Sequence, residues 1–71
     1  MSWSSVPPER REVVRSILTD RQLRVLQDRM NGWSWRKIGA GLHISEATAR
    51  AHYKAALDRI AEHDAERRNA A

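Results

Sequence analysis

Apolar positions fall into four short stripes at helical spacing, and nowhere into the alternation of a strand. Val13, Val14, Ile17 and Leu18 recur at i, i+1, i+4 and i+5. They follow Pro7 and Pro8, which suit a first helical turn because no amide donor is needed there. A first helix is predicted near 8–17. Leu23, Leu26 and Met30 form a second stripe, preceded by Thr19 and Gln22 at the spacing of a capping box. That helix is predicted near 20–31, closed by Gly32 as its left-handed residue. Ser34 caps a third helix near 35–41, whose inner stripe is Ile38 and Leu42. Gly39 and Gly41 weaken it by about 1 kcal/mol each relative to Ala. Gly39 lies beside Ile38 on the inner side, where a missing side chain permits a close helix crossing. "LHI" is a tight turn in which His43 tolerates positive φ. Ser45 caps a fourth helix near 46–66. Its inner stripe reads Ala49, Tyr53, Ala56, Leu57 and Ile60, and its opposite face Ala47, Arg50, Ala51, Lys54 and Asp58.

After Ile60 the pattern fades, and the tail is expected to project into solvent. The fold class is all-α: a four-helix domain at 7–66 with a helix-turn-helix, a disordered lead at 1–6 and a frayed tail at 67–71.

With 71 residues, a single core supplies little net stability, so helix caps carry unusual weight. There is no cysteine, which excludes disulfides and thiolate metal sites. His43, His52 and His63 lack ligand spacing, so no metal and no cofactor are expected. No apolar run approaches the roughly 20 residues of a membrane span, and the N-terminus lacks the apolar segment of a signal peptide. A cytoplasmic protein with no membrane partner is expected. Ser34 and Ser45 are caps without a base beside them, so no catalytic residue is assigned and an enzyme is not expected.

The net charge is +4, unevenly spread. Residues 34–54 carry Arg36, Lys37, Arg50 and Lys54 against Glu46 alone, whereas residues 55–71 carry four acids against three arginines. A basic centre suits an anionic partner such as nucleic acid; a solvated charged face is the alternative.

A short capped helix, a tight turn and a capped helix with a basic, alanine-rich outer face describe a helix-turn-helix, whose second helix fits the major groove of double-stranded DNA. Ala47 and Ala51 leave room for close approach to base edges. Arg50 and Lys54, one turn apart, can donate to guanine or phosphate. Glu46 can accept from a cytosine amine or complement the helix N-terminus. The third helix would cross the backbone, with its free amides and Arg36 or Lys37 at phosphates. The hydroxyls of Ser34 and Ser45 and the indole N–H of Trp35 are further candidate phosphate donors. Trp33 is read as core. A base-stacking role for the tryptophans is disfavoured because no sheet is predicted.

"LTDRQLRVLQDRMNGWSWRKIGAGLHISEATARAHYKAALDRI" resembles the helix-turn-helix shared by LuxR-type regulators and sigma factor region 4. LuxR-type domains follow a pattern like L-T-x-R-E-x-E-V-L, six residues to a Gly, then S-x-x-E-I-A-x-x-L-x-I-S-x-x-T-V-K-x-H. The chain keeps Leu18, Thr19, Arg21, Val25, Leu26, Gly32, Ser34, Ile38, Leu42, Ile44, Ser45, Thr48 and His52 in register without a gap. Region 4 often carries an aromatic where Trp35 stands. The resemblance implies that Arg50 faces the groove and that Thr48 and His52 meet phosphate. The chain departs from the pattern at Arg36 and Lys37, where acids or a Lys-Glu pair are usual. It departs again at Gly39 and Ala49, which replace the usual Ala and Val. No clear counterpart of the usual short dimerising helix follows.

The expected function is sequence-specific binding of double-stranded DNA by a small transcriptional regulator, a homodimer. Its size and the lack of a sensory or promoter-melting domain suggest a phage or mobile-element type. The alternatives are the DNA-recognition subunit of a larger machine, such as a phage terminase small subunit, or a sigma region 4-like adaptor that binds RNA polymerase or another protein.

Overall fold

The computed structural model describes residues 2–70. Helices occupy Pro8–Ile17 (α1), Asp20–Met30 (α2), Trp35–Leu42 (α3) and Glu46–Ala70 (α4), and the described residues hold no strand. The all-α helix-turn-helix architecture is as expected.

Local chemistry sets the helix ends. Pro8 sits in the first turn of α1. At α2 the Gln22 amide donates to Thr19 Oγ1 (3.2 Å) and the Thr19 amide to Gln22 Oε1 (3.1 Å), a complete capping box. Ser34 Oγ accepts from the Lys37 amide (3.1 Å), and Ser45 Oγ from the Thr48 amide (3.0 Å). Two helices close by the same device. Trp33 N–H reaches the Asp28 carbonyl (3.0 Å) and Gly32 N–H that of Arg29 (3.1 Å). Likewise Ile44 N–H reaches Gly39 (2.9 Å) and His43 N–H reaches Ala40 (3.4 Å). Both are Schellman closures, which need a left-handed residue. Gly32 at φ 89° and His43 at φ 57° provide it.

α4 is the spine, packed against α1, α2 and α3. Its 25 residues span roughly 37 Å at the α-helical rise, which accounts for most of the 42 Å long axis. The core has two clusters. Val14, Leu18, Leu26 and Ala56 join α1, α2 and mid-α4; Val25, Ile38 and Ala49 join α2, α3 and the start of α4. Tyr53 packs against both. A Cβ on Gly39 would lie 2.7 Å from the Ile44 carbonyl oxygen, so the close approach expected there is made to the turn that feeds α4.

Three expectations change. Leu57, assigned to the inner stripe, is 44% exposed. The buried line runs Ala49, Tyr53, Ala56, Ile60 and His63, and Leu57 lies about 100° further round the helix than Ala56. Beyond Ile60, α4 is held as far as Asp64, and residues 65–69 after it are all exposed. His63 and Asp64 are half-buried, and Asp64 takes both terminal nitrogens of Arg10 on α1 (2.9 and 2.7 Å). The helix runs on to Ala70, through most of the segment 67–71 read as a frayed tail; Ala71 lies outside the described residues. The segment 1–6, read as a disordered lead, is docked over residues 2–6. Trp3–Ser5 form a 3-10 turn, the Trp3 amide donates to Asn31 Oδ1 (2.9 Å), and the Trp3 side chain packs on the first cluster. Met1 lies outside the described residues. An apolar ring that finds a core to cover explains why so polar a segment is held.

Candidate nucleic-acid interface

The outward face of α4 presents Ala47, Arg50, Ala51 and Lys54, all exposed. The two alanines leave a shallow strip between two cations one turn apart. Each cation has an acid on its own helix. Arg50 Nη2 lies 3.8 Å from Glu46 Oε1, and Lys54 Nζ 3.0 Å from Asp58 Oδ2. Exposed pairs of this kind contribute about 0–1 kcal/mol. Phosphate or a guanine edge can therefore take either cation at little cost.

Cations around the start of α3 are arranged differently. Arg36 and Lys37 are exposed and have no acidic partner among the described residues. Lys37 Nζ lies 4.3 Å from the Trp33 ring centroid. Trp33, read as core, is half-buried: it packs against the second cluster and also carries this ammonium. Ser34 Oγ is engaged as the cap of α3. At the head of α4 the Ser45 and Thr48 hydroxyls are 2.8 Å apart and bond to each other. His52, one turn beyond Thr48, is half-buried.

Trp35 joins these two regions. Its ring meets Tyr53 edge-on (5.3 Å between centroids, 71° between planes) and packs on the second cluster. The Arg50 guanidinium lies 5.7 Å from the ring centroid and that of Arg29 4.7 Å. Thus Trp35, Arg50 and Glu46 are brought together, and so are Ser45 and Thr48. Lys54 is drawn toward Asp58.

Arg21 and Arg29 were not anticipated. Arg21 Nη1 donates to the Leu42 carbonyl (3.0 Å), which gives the end of α3 a cationic partner. Arg29 Nη1 donates to the Trp33 carbonyl (2.9 Å). No periodic signal reveals either: Arg21 reaches the end of another helix, and Arg29, though only four residues from Trp33, meets a backbone carbonyl beyond the end of its own helix. No group of three His, Cys, Asp or Glu among the described residues could hold a metal ion, and no helix among them is long and apolar enough to cross a membrane.

No curated protein and no solved structure matches the chain. The family model described as "GerE: Bacterial regulatory proteins, luxR family" matches residues 16–66, from the last turn of α1 through the whole helix-turn-helix and most of α4. The chain belongs to this family, and DNA binding by its helix-turn-helix follows from that membership.

Proposed function

We propose that the protein is a sequence-specific transcriptional regulator that lays the N-terminal half of α4 in the major groove of double-stranded DNA. The observation that carries this reading is the exposed strip of Ala47, Arg50, Ala51 and Lys54 beside an acid-free cationic corner at Arg36 and Lys37. Arg50 and Lys54 read bases, Glu46 borders them, and Ala47 and Ala51 admit the base edges. Ser34, Trp35, Arg36, Lys37, Ser45, Thr48 and His52 face phosphates on either side. Arg on guanine is the commonest specific contact in this geometry, so Arg50 is the first candidate for sequence preference.

The protein acts as a homodimer. One unit of this size makes few base contacts, and two half-sites about one helical turn apart raise affinity. Leu57, the one exposed large apolar side chain among the described residues, supports self-association through α4.

Selection of bound sequences from random duplex DNA tests both parts. A palindromic product is expected. If each protomer meets four phosphates, log affinity should fall with log salt at a slope near −3.6 per protomer, on the rule of about 0.9 per phosphate. A slope near zero on every duplex would end this reading.

A further inference from the structure

Arg29 lies outside the two-helix unit, in the last turn of α2. Its guanidinium centre is 4.7 Å from the Trp35 ring centroid, and Nη1 donates to the Trp33 carbonyl at 2.9 Å. A guanidinium has five N–H donors in a fixed plane, and this bond uses one of them. The residue is exposed, and no acid pairs with it among the described residues. Arg50 also lies on Trp35 but has Glu46 beside it. One indole therefore carries two arginines of opposite electrostatic standing: one neutralised on the groove-facing helix, one uncompensated at the corner where α3 begins.

We infer that Arg29 is a DNA-phosphate ligand supplied by α2, and that Trp35 is a positioning residue that fixes Arg29 and Arg50 at a set separation. The inference rests on the DNA-binding reading above. The Trp35 face and the Trp33 carbonyl hold the guanidinium before DNA arrives, so little side-chain freedom is lost on binding. The free N–H groups and full charge then suit a phosphate oxygen, for which an ionised donor forms short, strong hydrogen bonds. Because Arg50 shares the same ring, Trp35 holds the phosphate contact of Arg29 and the base contact of Arg50 at a fixed separation. Trp35 thus connects backbone positioning to base readout.

The experiment measures affinity for the selected duplex between 50 and 200 mM salt, with thermal melting of each variant alongside. Arg29→Gln keeps a planar amide donor on a shorter side chain and has no charge; Arg29→Lys keeps the charge and loses the planar fork. The salt slope of Arg29→Gln should be shallower by about 0.9 per protomer, with binding weakened alike on matched and mismatched duplexes. Arg29→Lys should retain the wild-type slope. Trp35→Leu should flatten the slope and also relax preference at the base pair that Arg50→Ala affects. The inference is overturned if Arg29→Gln melts lower yet keeps the wild-type slope, because Arg29 would then only close the α2–α3 corner. It is overturned equally if Trp35→Leu leaves base preference unchanged. If wild type shows no salt-dependent binding to any duplex, the DNA-binding reading itself fails, and that outcome is distinct from both.

Discussion

Gly39 stands so close to the carbonyl oxygen of Ile44 that a Cβ at position 39 would come within 2.7 Å of it. The same two residues share the hydrogen bond that closes α3, Ile44 N–H to Gly39 carbonyl at 2.9 Å. Gly39→Ala would gain about 1 kcal/mol of helix propensity. The obstacle is backbone, which a rotamer change cannot relieve, so the turn must shift. The variant is expected to melt below wild type, and its DNA affinity to fall further than its stability, because the turn sets how α4 is presented. A higher melting temperature with intact binding would show that the turn has slack.

The two Schellman closures carry different residues at the left-handed position, Gly32 and His43. A non-glycine residue there costs roughly 1–2 kcal/mol. His43→Gly should therefore stabilise the protein by about 1 kcal/mol, a rise of roughly 4–8 °C in melting temperature for a domain this small. Gly32→Ala should lower stability by a similar amount. Nothing lies within 4 Å of a Cβ there, so the penalty is conformational rather than steric. Thermal melts of the two variants check both signs.

Such positions were legible in the sequence because capping is local. Thr19 with Gln22, Ser34, Ser45 and Gly32 each act within one turn of their own place in the chain, and each does what its residue type suggests. What the sequence hid depends on contacts between distant segments. Leu57 reads as core by spacing, but the buried line on α4 passes through Ala56 and Ile60 and leaves it outside. Trp3 lies in a polar segment and is held by α2 through Asn31. Arg29 reads as one more surface cation until the chain folds back to place Trp35 under it.

The ion pair of Arg10 with Asp64 joins residues 54 apart in sequence, each side chain 37% exposed. The hydrogen bonds from Arg10 hold the Asp64 carboxyl below its ordinary pKa, assisted by the charges of Arg10, His63 and Arg68. A carboxylate whose pKa is lower folded than unfolded adds stability above its unfolded pKa, near 4. That stability is lost as pH falls through the folded value. Asp64→Asn should therefore melt below wild type at neutral pH, and the gap should close as the solution is taken below about pH 4. A gap that persists in acid would assign the loss to packing between α1 and α4 instead.

Leu57→Glu tests self-association. The side chain is 44% exposed and lies outside both core clusters. Substitution should change monomer stability by no more than about 0.5 kcal/mol. If α4 pairs with its copy through this face, buried like charge should shift sedimentation from dimer to monomer. Affinity for a palindromic site should then fall toward that for a half-site. A dimer that survives the substitution would move the interface elsewhere.

Glu46 lies one turn before Arg50, with 3.8 Å between their charged atoms. Two roles fit a carboxylate at that point, and they predict different outcomes for Glu46→Ala. As a partner for Arg50 and for the positive start of α4, it contributes about 0.3–1 kcal/mol to the helix and repels phosphate. Its removal should lower stability slightly, strengthen binding to every duplex and reduce the ratio of specific to non-specific affinity. As an acceptor from a cytosine amine, it would favour one base pair, and the variant would lose that preference alone at a cost of about 1–3 kcal/mol. The first outcome is expected, because Glu46 stands in the first turn of α4 with the Arg50 guanidinium beside its carboxylate. Binding titrations on matched and scrambled duplexes at one salt concentration separate the two. In the first case both curves move toward tighter binding, the scrambled one further; in the second only the matched curve moves, toward weaker binding.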